Sequence, residues 1–302
     1  MATPVTSRHR AWGLVIESDM GLAPYLPDAP DGIAADATVV TGDRAAARAA
    51  AGEAATLQHV RLAWRGITID AHDGVRLEVA YDADVPAGRV APYVSGPGMA
   101  ALLVQRGYFV LHASAVHVDG ATVAITADSG VGKSTLAVLL AACGMPYLAD
   151  DLLVIDMTTP VPMLVIGPPH AKIADVGLAP GWDALGREAI EGRWVMRPSV
   201  HAFDDGDRVP LGRLCVLEDA PVGQGVTLER LSGAAAVVAV TGADFGAPLL
   251  PPASRGAQLR RARQLAAAIP IVRLRRPRRL DVANEVVDAL RAAAGFDARR
   301  LV

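Results

Sequence analysis

The sequence predicts an α/β protein in which a β-rich segment over residues 1–95 precedes a core over residues 96–302 built around a phosphate-binding loop. Three observations predict it. Short β-prone runs separated by turn residues fill the first third, residues 121–143 read as strand, glycine-rich turn and helix, and strands alternate with helices beyond that. The composition permits such a fold. Of 302 residues 52% are hydrophobic and 20% charged, with mean hydropathy +0.30, which excludes a disordered chain and supplies apolar surface for a large core. A length of 302 residues suits one large α/β body or two domains.

The same numbers narrow the function classes. A net charge of −3 lies too near zero to argue for nucleic acid or a membrane surface, and 4% aromatics do not make a base-stacking platform. Neither is an expected partner. Cys143 and Cys215 stand far apart with no CxxC or Cys/His spacing, which fits thiols in a reducing compartment and not a disulfide framework or a zinc site. No secretory apolar region follows Arg8-His9-Arg10 before Glu17 and Asp19. The most apolar run, residues 136–149, is too short for a membrane span and contains Gly144-Met145-Pro146. The expected location is the cytoplasm.

Residues 12–16, 60–64, 67–69 and 75–81 are the β-prone runs of the first segment, with Asp73-Gly74 as a turn signal. Residues 45–55 are alanine-rich and read as a short helix or a loop. No ligand constellation stands out here, so this segment is expected to pack on the core or to meet a partner. The core opens with a helix over 98–105, ended by Gly107, and a strand over 108–118. Asp119-Gly120 marks a two-residue hairpin turn, because both central positions need positive φ. A returning strand over 121–127 leads through the glycine-rich turn to a helix over 133–143, closed by Gly144. The strand over 147–155 that follows is expected to lie parallel to 121–127 through a right-handed crossover. Further on, 163–166, 213–217 and 271–275 read as strands, and 183–191, 259–268 and 282–294 as helices.

The stretch that carries chemistry is Ala127-Asp128-Ser129-Gly130-Val131-Gly132-Lys133-Ser134-Thr135. It follows a strand and opens a helix, the setting a phosphate-binding loop requires. Glycines let several N–H groups turn toward one anion, and the helix N-terminus adds its positive end. Lys133, one of only two lysines in the chain, would neutralise the β- and γ-phosphates, and the Ser134 hydroxyl would ligate Mg²⁺. Ala127 stands where the motif usually has its first glycine, at the strand exit. A glycine- and serine-rich turn with no nucleotide is the competing reading.

Asp150 and Asp151 fall within the next strand, flanked by apolar residues that predict burial. Neighbouring strand residues face opposite ways, so the pair cannot share a role unless the strand ends or bulges there. One can face the phosphates and Mg²⁺ and the other an incoming nucleophile, and such proximity raises one pKa, which suits a general base. His112 lies on the strand before the hairpin, near the loop, as either a satisfied core residue or a catalytic one.

Leu111-His112-Ala113-Ser114-Ala115-Val116, the hairpin, Asp128-Ser129-Gly130-Val131-Gly132-Lys133-Ser134 and Leu148-Ala149-Asp150-Asp151 together resemble the HPr kinase/phosphorylase family. That family has a histidine strand, a D-S-G-x-G-K-S loop and an A-D-D strand in this order. The resemblance is specific over residues 108–155 and extends through Val209-Pro210-Leu211 and Ile269-Pro270-Ile271. It implies an ATP-dependent serine kinase with a phosphoenolpyruvate-carboxykinase-like core, using ATP and Mg²⁺. In that likeness Asp150 would be the base that takes the serine proton, Asp151 would hold Mg²⁺ and His112 would lie nearby, with an exchange of the two aspartates left open. The family's second signature is not recognisable, the nearest stretch being Glu191-Gly192-Arg193-Trp194-Val195. Arg10-Ala11-Trp12-Gly13-Leu14 near the start makes the chain more similar to the branch that tailors ribosomally made peptides. That branch resembles lasso-peptide kinases, which implies the C-terminal serine of a precursor peptide as substrate. Ring assembly among such relatives leaves a homo-oligomer open, although no heptad or apolar stripe argues for one.

A transfer site also needs positive charge beyond the γ-phosphate. Arg193, Arg197 and Arg208, with Lys172, are the candidates, and Arg193 and Arg197 are assigned to the nucleotide. Between Arg255 and Arg300 twelve arginines face four acids, either a solvated face or a surface for an acidic peptide or phosphates. Two other classes compete with a peptide or small-protein serine kinase. A non-catalytic nucleotide-binding regulator would share the loop but not need Asp150 as a base. An energy-coupling ATPase would need a separate arginine-finger or ABC-type signature, and none is recognisable.

Overall fold

The computed structural model describes residues 6–49, 56–187, 192–199 and 202–293. Strands β1 (Ser7–Ala11), β2 (Leu14–Ser18) and β3 (Ala37–Thr41), helix α1 (Arg44–Ala49), and strands β4 (His59–Trp64), β5 (Ile67–His72) and β6 (Arg76–Tyr81) come first. The strands pair in the order β1-β2-β3-β6-β5-β4. Trp12 and Gly13 turn β1 into β2 as a two-residue hairpin with positive φ at both positions, and Asp73 and Gly74, also at positive φ, lead the three-residue connection from β5 to β6. Helix α2 (Ala87–Tyr93), a π turn (Val94–Gly98) and helix α3 (Met99–Gln105) follow. Pro92 and Pro97 cannot donate to the helix ladder, and the chain between them widens into the π turn. Val90, Val94, Met99 and Leu102 bury against Ile69, Leu77 and Val79 of the sheet, in a core that also takes in Val110, Leu152 and Val154.

The remaining elements are β7 (Phe109–His112), β8 (Ser114–Val118), β9 (Ala121–Thr126), α4 (Lys133–Ala142), β10 (Tyr147–Ala149), β11 (Leu152–Asp156), β12 (Met163–Val165), β13 (Ala171–Ile173), β14 (Trp182–Arg187), β15 (Trp194–Pro198), β16 (Arg208–Asp219), β17 (Thr227–Leu231), α5 (Gly233–Ala243), α6 (Arg255–Ala268), β18 (Ile271–Arg276) and α7 (Ala283–Ala292). A nine-stranded sheet runs β10-β8-β9-β16-β12-β11-β7, with β18 beside β16 and β17 beside β18. Its strands change ladder at three points. Ala113 separates β7 from β8, and Asp150-Asp151 separates β10 from β11. Strand β16 pairs with β12 through residues 208–210 and with β9 from Leu211 onward. Strands that pass from one ladder to another make a corner. Alternate residues face opposite layers: Ile125, Cys215 and Val272 pack with α4 and α7, while Ala124, Leu214 and Ile271 pack with α5 and α6. Strands β13, β15 and β14 form a small third sheet. The fold is therefore mixed α/β.

Several expectations need correction. The runs 108–118 and 147–155 are each two strands, because the corner interrupts them. Strand β10 does not pair with β9: β8 lies between them, antiparallel to both, and the parallel partner of β9 is β16. Residues 182–187 are strand β14 and not the start of a helix, held by pairing with β15, while 188–191 lie outside the described residues. Helix α1 covers only the start of 45–55, and residues 50–55 are likewise outside. Strands β1, β3, β13, β15 and β17 and helices α2 and α5 have no counterpart in the sequence reading. Among the described residues no helix is long and apolar enough to cross a membrane.

Candidate active site

Strand β9 delivers the chain at Thr126 to the loop, and Gly132 opens α4. Gly130 and Gly132 take φ of 84° and 103°, conformations that glycine adopts without a Cβ penalty, while Ala127 needs no positive φ. The first N–H groups of α4 have no partner within the helix, so they and the dipole could hold an anion at Lys133, Ser134 and Thr135. The carbonyl side of the loop is braced from the end of β18. Arg276 Nη2 donates to Val131 O at 2.5 Å and Nη1 to Asp219 Oδ1 at 2.8 Å, and Arg278 Nη2 donates to Gly130 O at 2.7 Å. Two of the C-terminal arginines thus serve the loop itself, a role that no local sequence pattern signals.

The corner in the sheet brings both aspartates to this loop. Asp151 takes φ of 67°, which breaks the alternation of a continuous strand, so the two carboxylates converge on one ammonium. Lys133 Nζ donates to Asp150 Oδ1 at 3.3 Å and to Asp151 Oδ1 at 3.4 Å. Asp150 Oδ1 also accepts the hydroxyls of Ser134, at 2.9 Å, and of Ser114. Ser114, the first residue of β8, had no role assigned from sequence, because only the corner brings it to Asp150. The side chain of Asp150 is 1% exposed and that of Asp151 is 31% exposed. Burial would lower the Lys133 pKa, but the two carboxylates outweigh it and hold the ammonium above its ordinary value. For Asp151, burial pushes the carboxyl up, and Lys172 and Lys133 more than reverse this, leaving it well below the usual carboxylate range, against the raised pKa expected from the pairing of two aspartates, because two ammonium groups outweigh the neighbouring carboxylate.

A cleft of about 390 Å³ opens over the loop. Asp128, Ser129, Gly130, Gly132, Lys133, Ser134 and Thr135 line it, as do His112, Asp151, Lys172, Arg193, Tyr93 and Phe245. Lys172 Nζ pairs with Asp151 Oδ2 at 3.0 Å. His112 Nδ1 lies 3.2 Å from the carbonyl of Asp151, its ring packs against Phe245, and burial followed by Lys133 keeps its pKa below the ordinary histidine value. Four of the candidate residues are not on this cleft. Val131 lines a second cleft on the other side of the loop, Arg197 sits on β15 opposite Asp183, and Arg208 pairs with Asp156. Asp150 is absent from the lining too and instead borders a small cavity behind the pair. Tyr93 and Phe245, aromatic walls of the cleft, went unnoticed because neither belongs to a motif.

No protein-family model and no curated protein matches the chain. Among solved structures it is similar to the HPr(Ser) kinase/phosphatase from Coxiella burnetii, at 13% identity, covering 61% of this chain and 94% of that one with a TM-score of 0.32. At that score the similarity carries no argument about activity, and the functional reading stands on the site's own geometry.

Proposed function

We propose that the chain is an ATP-dependent phosphotransferase that moves the γ-phosphate to a serine hydroxyl of a peptide or small protein. The observation that carries it is the convergence of Asp150, Asp151, Ser134 and Lys133 at the mouth of the glycine loop. A loop that only binds nucleotide has no need of a second carboxylate that opens onto the cleft. Geometry favours the exchanged roles for the pair. Ser134 and Asp150 offer hard oxygen donors within 2.9 Å of each other, a set that fits Mg²⁺, which keeps its remaining positions for water and phosphate. When bound there the ion would offset charge on the phosphates. Asp151, ionised and lining the cleft, would accept the serine proton as the hydroxyl oxygen attacks the γ-phosphorus in line and the bond to the β–γ bridging oxygen breaks, releasing ADP. Lys133 would stay on the transferred phosphoryl group, and Lys172 would hold the base in place. Neutral His112 fixes the backbone at Asp151. Arg193, on the cleft wall, is the remaining cation for developing charge.

The resemblance of Arg10-Ala11-Trp12-Gly13-Leu14 supports the C-terminal serine of a lasso precursor as the specific acceptor, ahead of an HPr-type protein. The test is transfer of label from γ-labelled ATP with Mg²⁺ to serine-terminated peptides and to small proteins. Asp151→Asn should cut the rate about a hundredfold or more with ATP affinity kept. Asp150→Asn should lose Mg²⁺-dependent nucleotide affinity as well. ATP binding without transfer to any peptide or protein would favour a nucleotide-binding regulator.

A further inference from the structure

The loop is a wall between two clefts. Gly130, Gly132 and Thr135 line both the cleft that holds the aspartate pair and a second one of about 200 Å³. The floor of the second is apolar, made by Leu136 and Leu139 of α4 with Leu280 and Val282, and Arg276, Arg278 and Arg279 stand around it. Its far side is the chain just beyond β18, at the carboxyl end of a strand parallel to β16, where ligands of open α/β sheets bind.

We infer that this second cleft is the nucleoside subsite, and that it takes purine nucleoside triphosphates without selecting the base. This rests on reading the loop as a triphosphate site. Lys133 and Asp151 fix the γ-phosphate end on the first cleft, where the acceptor must also enter. A chain of three phosphates threaded along the loop then emerges on the other side at Thr135, beside the apolar floor. Leu139 and Leu280 offer contact to a flat ring, and the guanidinium groups offer cation–π stacking. Among the described residues, the polar side chains lining this cleft are arginines and Thr135. No carboxylate or carboxamide among the described residues lines it to read the amino group of adenine, the nearby Asp219, Asp281 and Glu285 being paired with the arginines, so the base is held by its faces. A site lacking such edge contacts discriminates weakly.

Calorimetry with ATP, GTP and inorganic tripolyphosphate, each with Mg²⁺, tests this on the full chain. ATP and GTP should bind within about threefold of each other, and each at least about tenfold tighter than tripolyphosphate. Leu280 is 57% exposed, so Leu280→Asn leaves the fold intact. This variant should weaken both nucleotides about fivefold and leave tripolyphosphate unchanged. Equal affinity for ATP and tripolyphosphate overturns the subsite while the loop reading stands. ATP more than about thirtyfold tighter than GTP overturns the lack of base selection. Lost ATP affinity in Phe245→Ala with none lost in Leu280→Asn puts the base in the first cleft and overturns the inference. Failure of all three ligands to bind removes the loop reading and this inference together.

Discussion

At Gly132 the chain turns with φ of 103°, and a Cβ there would lie 3.0 Å from Arg276 Nη2. Alanine would strain the backbone and push on the guanidinium that holds the Val131 carbonyl outward. Gly132→Ala should therefore cost about 1–3 kcal/mol of stability and weaken triphosphate binding, read as a lower Tm and a higher Kd for tripolyphosphate. Near-normal binding in that variant would mean that the loop does not work through its backbone N–H groups. The glycines, Lys133 and Ser134 stand out in the sequence because the candidate phosphate-binding loop is local, nine consecutive residues long. Ser114, Arg276 and Arg278 do not, because each reaches the site from a distant strand. Asp151 stands between these cases. Its identity was plain, but its left-handed backbone, which turns both carboxylates toward Lys133, depends on a corner made by three separate strands.

The elements most clearly read were those with strong local punctuation. Asp119-Gly120 gave the hairpin and Gly144 the end of α4, both with positive φ. The errors came where pairing overrides pattern: 182–187 is a strand because β15 lies beside it, and β8 separates β9 from β10. Helix α5, unforeseen, ends in a device that matters to the cleft. Its C-cap residue, Asp244, accepts the N–H groups of Gly246 and Ala247 at 2.9 and 3.0 Å, and Phe245 between them donates its N–H to Val110 and packs on His112. Burial lifts the Asp244 pKa to about 6, with the two N–H groups opposing it. The folded chain thus holds this proton more tightly than the unfolded one, whose aspartate titrates near 4. The stability it contributes is full below about pH 4 and is lost as pH rises through about 6, an effect on the order of 2 kcal/mol. In denaturant titrations at pH 5 and pH 7, the wild type should lose about 1 kcal/mol more stability across that interval than Asp244→Asn, the rest of the effect falling below pH 5. Identical pH profiles would show that Asp244 is not held in this way.

On the scale of the whole molecule, the N-terminal sheet shares a hydrophobic core with Val110, Leu152 and Val154, and its β1–β2 turn is fastened to the chain before β16 by one residue. The carboxylate of Asp205 accepts the backbone N–H of Trp12 at 2.7 Å and of Gly13 at 2.9 Å, and pairs with Arg10 Nε at 3.2 Å. Gly206 packs on Gly13 so closely that a Cβ on it would lie 2.6 Å from the Gly13 Cα. The β1–β2 turn thereby lays the Trp12 indole against Gly167, at the edge of the small cavity bordered by Asp150, Asp151 and His170. The Arg10-Ala11-Trp12-Gly13 run was visible in the sequence, but not its anchor, which lies almost two hundred residues away. Asp205→Ala strips three donors of their acceptor and should cost about 2–3 kcal/mol, seen as a lower denaturation midpoint. Because the loop and α4 do not touch this tie, tripolyphosphate affinity should persist while phosphoryl transfer slows, since Trp12 backs the aspartate pair and not the phosphates. If stability falls and transfer per folded molecule does not, the hairpin only holds the two parts together. If both fall, the N-terminal sheet sets the position of the carboxylates that do the chemistry.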